Sequence, residues 1–422
     1  MSNESDARTN VESSEKPGGL RYSYNPYAQP QIDDPFPIWA MARKWEPAFY
    51  SDALGAWVLT KSSLVQQVMQ DSATFLSSGL NAMRSHPPEV QKILDEVPEK
   101  VSALRATDAP EHTRRRRLTF GVVSPQRVSQ LEPRVRSIAN RMIDNFYNLG
   151  KCDFYQSFAY RYPLAVVSSL LGFPDTEAEK LHHWANCRVA LAWGNMELEQ
   201  YKQTAKGVVE FHQFIESELI SRLASPRDDL MSDMVTLNKN AADPLNMPYL
   251  IEAVHGLVTA GHESTANWIT MTLYHLLEEQ TPWQKVCTNP DSIPQMLEEA
   301  LRFDGPVLGS WRRAARDVSV GDIQIAAGDK VYCALGSSNR DEEVFQDPDK
   351  FDVDRTDVRQ HIMFGRGPHT CVGAPLARLE GRVAFEVLAK RLAHVRLAQS
   401  HLAFNSNATL RLPQALMIEW NV

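Results

Sequence analysis

Cysteine is scarce in this chain: five occur in 422 residues, at positions 152, 187, 287, 333 and 371, and no two form a Cys-x-x-Cys pair. An odd, scattered set argues against a disulfide framework and against a structural zinc site, and it fits a reducing cytoplasm. Long apolar runs are absent as well, since none approaches the ~18 residues of a membrane-spanning helix. Residues 1–22 are polar, rich in Ser, Glu and Asn. Without an apolar stretch they read as a disordered tail, neither a signal peptide nor a membrane anchor. Positive charge is also short: 44 Lys and Arg face 52 Asp and Glu, a net charge of −8. The whole chain therefore gives a nucleic-acid partner no electrostatic support. No internal repeat and no linker divides residues 23–422, which read as one large, helix-rich domain.

What is present is concentrated around Cys371. It lies in Phe364-Gly365-Arg366-Gly367-Pro368-His369-Thr370-Cys371-Val372-Gly373. Glycines at 365, 367 and 373 permit positive φ and leave room for a bulky partner to approach the backbone. Apolar residues at 376, 379, 383 and 387 then follow a helical period. The thiol thus sits at a predicted helix N-terminus, where free N–H groups and the helix dipole favour a thiolate, the form that ligates a metal. A lone cysteine elsewhere is more often a buried structural thiol.

A second unusual segment lies within a predicted helix over 248–280, apolar at 250, 251, 254, 257 and 258 and again at 268, 271, 276 and 277. Ala260-Gly261-His262-Glu263-Ser264-Thr265 interrupts that pattern with two small residues, an acid and two hydroxyls. Small residues allow something to approach the backbone, and a hydroxyl beside an acid can hold water and pass protons. Glu299-x-x-Arg302 adds an acid and a base on one helix face, a pair that on its own reads as a solvated surface contact.

The string Phe364 to Gly373 carries the Phe-Gly-x-Gly-x-His-x-Cys-x-Gly signature, and the chain resembles the soluble bacterial cytochromes P450, the haem-thiolate monooxygenases. The landmarks keep the family order from residue 108 to 380. The resemblance implies a mostly α-helical, single triangular haem domain with a minor β region, holding haem b between the long helix and the cysteine loop. It implies Cys371 as the iron ligand, with Phe364, Gly365, Gly373, Ala260 and Gly261 beside the cofactor. Glu263 and Ser264 match the acid–alcohol pair that delivers protons to dioxygen. Serine stands where threonine is commoner, so its hydroxyl is less fixed, or Thr265 shares the role. Glu299 and Arg302 match the family's Glu-x-x-Arg pair, with Lys350 or Arg355 as a third partner.

Two buried haem propionates need cations or donors. His112 and Arg116 lie in Asp108-Ala109-Pro110-Glu111-His112-Thr113-Arg114-Arg115-Arg116, Arg312 in the Arg-rich 312–318 stretch, and His369 in the cysteine loop. All four match propionate-binding contexts of the family. The remaining arginines 114, 115 and 117 form a basic patch suited to an acidic electron donor. The resemblance implies O2 and a hydrophobic small molecule as substrates. Separate partners, a ferredoxin with its NAD(P)H-dependent reductase or a flavin donor, would supply electrons. By position, Met83, Leu191, Trp193, Val307, Leu308 and Trp311 would line the substrate pocket, though each also suits ordinary core. The expected reaction is C–H hydroxylation. The alternatives are epoxidation, dealkylation, dehydrogenation, oxidative coupling, or a haem sensor or carrier without turnover.

Overall fold

Helices dominate, and the strands form small sheets at the periphery. The computed structural model describes residues 19–80, 86–97, 101–193 and 196–422; in this range the side chains of 175, 192 and 193 are not described. The expected tail boundary moves slightly. Leu20–Ser23 is helical and Leu20 is buried in a cluster with Trp39, Phe49 and Tyr332, so packed chain begins before residue 23.

The long helix spans Met247–Glu278, entered through Asn246 with Pro248 in its first turn. Its sequence explains its position. In the first half, buried Leu250, Ile251, Val254 and Val258 recur at helical spacing. From Thr265 to Leu273 every residue is buried, which fits a helix running through the middle of the molecule. The hydroxyls there turn back on their own helix: Thr270 and Thr272 donate to the carbonyls of Ala266 and Trp268, at 2.8 and 2.7 Å.

Beside it runs the cysteine helix, Ala374–Arg391, with Gly373 as N-cap and Pro375 in its first turn. A Cβ at Gly381 would meet the Trp268 ring at 2.8 Å, so glycine is what lets the two helices close around that indole.

One five-stranded sheet, in spatial order 48–51, 56–59, 330–333, 310–314 and 75–76, frames the other side. Its one parallel contact pairs Leu59 with Cys333, and the antiparallel contact beside it sets Ser310 opposite Cys333 and Arg312 opposite Val331. That register carries Arg312 toward the cysteine loop. Among the described residues, no helix is long and apolar enough to cross a membrane.

Candidate active site around Cys371

The cysteine loop is a closed turn. The Cys371 N–H donates to the Phe364 carbonyl and the Gly365 N–H to that of Ile362, both at 2.8 Å, while Thr370 bonds back to Gly367 through both its N–H and its hydroxyl. Gly365 and Gly367 take φ of +79° and +72°, as their positions suggest. Gly373 does not: its φ is −83°. Its contribution is space, since a Cβ there would meet nothing nearer than the Cys371 sulfur at 3.9 Å. At Gly367 a Cβ would strike the Met69 carbonyl at 2.6 Å, so the loop presses against the helix Ser62–Gln70 behind it.

The Cys371 side chain remains accessible although protein surrounds it on most sides. Burial pushes its thiol pKa up, and the N–H groups of Gly373 and Ala374, with Arg116 and Arg378 farther off, oppose that rise only in part. The N–H groups at the helix end act in the expected direction, toward the thiolate. Without a metal, desolvation outweighs the helix terminus.

Behind the loop lies a network that sequence left half-drawn. Glu299 and Arg302 are fully buried, joined by bonds of 2.6 and 2.8 Å. The third partner is Arg355, whose Nε reaches Glu299 at 3.1 Å; Lys350 instead turns outward toward Asp352 and contributes its backbone carbonyl to both arginines. Arg302 also donates to the carbonyls of Asn339 and Pro348, and Asp352 N–H to Glu299. The solvated reading of this pair fails because every polar atom in it is enclosed and matched. A neighbouring acid, Glu298, takes two bonds from Arg378 and one from His361. Arg378 lies 4.4 Å from the Phe364 ring, clamping the cysteine loop to the Glu299 helix (Ile293–Asp304).

Three separate elements, the helix Glu111–Val122, the strand Ser310–Ala314 and the cysteine loop, bring His112, Arg116, Arg312 and His369 together. The His112 and His369 ring centres lie 3.9 Å apart, with the planes tilted by 36°. Burial first, then the charges of Arg116 and Arg312, hold both histidines below their usual pKa, His369 at about 4. Arg312 is buried, held by Ser310 and the Trp311 carbonyl. Arg116 forms no salt bridge among the described residues, which leaves a cation available beside Cys371. Asp108, not singled out from sequence, fastens this corner by accepting the N–H groups of Ser77 and Ser78 at 2.8 and 3.0 Å.

The expected basic patch shrinks. Arg114 pairs with Asp243 at 2.7 Å, and Arg115 is buried against the Tyr249 ring at 4.7 Å, leaving Arg117 exposed near Phe120 and Pro368. Four consecutive arginines on a helix cannot share one face.

In the long helix, a Cβ at Gly261 would meet nothing within 4 Å and Ala260 is exposed, so the helix offers open backbone there. Glu263 and Ser264 are partly accessible, whereas Thr265 is buried. The Ser264 hydroxyl donates to the Ala260 carbonyl at 2.7 Å, an anchor that restrains the side chain despite its missing methyl. Burial raises the Glu263 pKa. Next to it, buried His262 meets the Tyr160 carbonyl at 2.7 Å through Nε2, and burial lowers its pKa to about 4, so it is neutral and donates that bond.

The pocket residues fare unevenly. Leu191 packs with Val90, Cys187 and Tyr201, and Leu308 with Trp39 and Tyr332. Trp311 bonds to Thr409 at 3.1 Å and Val307 bridges Leu410. Met83 and the Trp193 side chain lie outside the described residues.

An accessible sulfur, a ring of cations and histidines, and bare helix backbone suit a flat, dianionic metal macrocycle, and together they define a haem-thiolate class of site. The family model for cytochrome P450 matches residues 48–401, and the chain belongs to the cytochrome P450 family. It is similar to a polyketide biosynthesis cytochrome P450, PksS, of Bacillus subtilis, 29% identical over 94% of this chain and 98% of the relative. Mycinamicin IV hydroxylase/epoxidase of Micromonospora griseorubida is 32% identical, covering 86% of this chain and 89% of that one. The P450 heme domain of Tepidiphilus thermophilus superposes with a TM-score of 0.90 at 30% identity, over 95% of this chain and 97% of its own. The chain is thus a haem-binding monooxygenase that works with redox partners.

Proposed function

We propose that the chain binds haem b through Cys371 and hydroxylates a hydrophobic small molecule at a C–H bond. The observation that carries this reading is the accessible Cys371 sulfur in a glycine-opened loop, with Arg116 and Arg312 brought to that loop from two other elements. When bound, haem with a thiolate ligand supplies reductive cleavage of dioxygen, because the sulfur pushes electron density toward the bond that breaks. The remaining work belongs to the chain.

His112, Arg116, Arg312 and His369 hold the two propionates, with Arg116 giving the free positive charge and the neutral histidines donating N–H groups. Cys371 would hold the iron as the thiolate, and the Gly373 and Ala374 N–H groups would stabilise that sulfur. Glu263, raised by burial, keeps its proton nearer neutral pH than a surface acid and can pass it on. Ser264, tied to Ala260, accepts that proton's hydrogen bond and orients a water. Thr265 faces the core and supports packing. Phe364, held by Arg378, would pack beside the cofactor next to the sulfur.

Electrons come from a ferredoxin and its NAD(P)H-dependent reductase, or a flavin donor, docking near Arg117; the five unpaired cysteines suit a cytoplasmic setting. Epoxidation is the second reading, favoured by the hydroxylase/epoxidase name of one relative. Oxygen and NAD(P)H consumption with a surrogate ferredoxin pair, followed by product analysis, tests both. Substrate-dependent consumption with an oxygenated product supports the proposal; haem binding with no substrate-dependent turnover supports a carrier.

A further inference from the structure

The far end of the long helix carries a histidine held between acids of two helices. His275 lies in the last turn of Met247–Glu278, where the helix terminus favours a cation. Its Nδ1 meets a carboxylate oxygen of Glu278 at 2.6 Å, and its Nε2 meets Asp304, the last residue of the helix Ile293–Asp304, at 3.3 Å. Ionised carboxylates only accept, so each nitrogen must carry a hydrogen to make its bond. A neutral imidazole has one N–H, and only the imidazolium fills both contacts. Aromatic rings enclose the site: Tyr274, Phe303 and Phe351 have ring centres 5.3, 5.0 and 5.7 Å from that of His275, whose side chain is 11% exposed.

Asp304 is committed on its other oxygen. Arg411 donates to Asp304 Oδ1 at 3.2 Å and to the carbonyls of Ile32 and Asp33 at 2.8 and 2.6 Å. Arg340 donates to the neighbouring Phe303 carbonyl at 2.7 Å and pairs with Asp349 at 3.1 Å, its guanidinium lying 3.5 and 3.8 Å from the Phe36 and Phe303 rings. The charges facing His275 are thus Glu278 on its own helix and Asp304 on the Glu299 helix, with Arg411 and Arg340 behind Asp304. Burial alone would raise the Asp304 pKa, but Arg411, His275 and Arg340 hold it at about 2. Burial alone would lower that of His275, but the bonds to Asp304 and Glu278 raise it above the ordinary 6.5. Tyr274, pushed up to about 12 by burial and by Glu278, stays neutral in this range.

We propose that His275 is a pH-sensitive lock joining the helix of Glu263 and Ser264 to the helix of Glu299 and Arg302. Charged, it bridges Glu278 and Asp304. On losing a proton it keeps one N–H, and its other nitrogen presents a lone pair to a carboxylate, so one contact turns repulsive and the last turn of the long helix loosens. A histidine whose folded pKa is raised contributes stability that is complete below pH 6.5 and is lost as pH rises through the folded value. The lock is closed in acid and opens on the alkaline side.

Two measurements on the haem-loaded full chain, in its reduced carbon-monoxide form, test this between about pH 6 and 10. Nitrogen-labelled histidine NMR, with the His275 signal assigned by its loss in His275→Gln, is expected to show both ring nitrogens protonated at the acid end and a titration midpoint above 6.5. Hydrogen exchange of residues 274–279, corrected for the intrinsic rise in rate with pH, is expected to show about a tenfold loss of protection as His275 discharges, the worth of one charge-assisted bond. In His275→Gln, protection of this segment is low throughout and no longer depends on pH. Glu278→Gln changes an exposed side chain and serves if His275→Gln does not fold; it moves both the titration and the loss of protection to lower pH. The proposal is overturned by a His275 midpoint at or below 6.5, by an equal fall of protection with pH in the parent and in His275→Gln, or by a Glu278→Gln variant that leaves both midpoints in place.

Discussion

Two polar regions flank the candidate site and are built on opposite principles. Behind the cysteine loop, Glu299, Arg302 and Arg355 match each side-chain donor with the shared carboxylate or a backbone carbonyl. Along the long helix, Glu263 is buried enough for its pKa to rise; among the described residues both polar atoms of the Asn267 side chain lack partners, and Arg115, packed on Tyr249 from the helix Glu111–Val122, keeps an unmatched nitrogen. A satisfied network resists rearrangement and holds the sulfur in place. An unsatisfied one is unfavourable in isolation and leaves groups ready for protons, water or ligand. The first region is read as scaffold and the second as chemistry.

Breaking the scaffold should have the largest effect. Arg302→Ala leaves buried Glu299 with Arg355 as its remaining guanidinium and strips the Asn339 and Pro348 carbonyls of their donor, a loss of about 3 kcal/mol or more for a buried network of this kind. Denaturant unfolding should show a large drop in midpoint, or the variant should fail to accumulate as folded protein. Lys350→Ala, which spares the backbone carbonyl, should unfold like the parent.

On the other side, Glu263→Gln should leave stability nearly unchanged and reduce turnover by about 10²-fold or more, the usual cost of losing a positioned proton donor. Turnover and unfolding midpoint measured on one preparation separate the two regions. If Arg302→Ala and Glu263→Gln moved both quantities alike, the contrast would be lost.

Glu298 sharpens the comparison through pH. Burial alone would raise its pKa, but Arg378 and His361 hold it down to about 2, below the ordinary 4.5. A depressed acid contributes stability that is complete above pH 4.5 and is lost as pH falls toward 2. Glu298→Gln should therefore lower stability at neutral pH and flatten the acid slope across that window, as followed by unfolding midpoints. The smallest effect is expected from Ser264→Thr. Restoring the methyl stiffens χ1, so the fraction of consumed oxygen recovered in product should rise modestly with little change in total consumption.

The legibility of these regions in sequence also differed. The cysteine loop was readable because local glycine chemistry fixes it, although Gly373 proved to supply space instead of positive φ. Glu299 and Arg302 were legible as a pair. Arg355 was not separable from Lys350 until the loop 346–355 folded back, because its role depends on carbonyls contributed by that loop. Arginines 114, 115 and 117 were read as one patch although helical rotation sends Arg115 inward. Nothing local announces the Arg188–Glu252 ion pair, since it depends on two helices distant in sequence packing together. The apolar pocket choices suffered in the same way: Leu191 and Leu308 are as useful to a core as to a ligand, and the fold placed them in packed clusters.

The central claim is that Cys371 ligates haem iron as a thiolate. Its most direct test is the absorbance difference between dithionite-reduced protein with and without carbon monoxide, for the parent and for Cys371→Ala. A red-shifted Soret band typical of thiolate ligation in the parent, absent from a folded Cys371→Ala variant, is the predicted result. A folded, haem-loaded parent without that band, or a variant that retains it, would contradict the account.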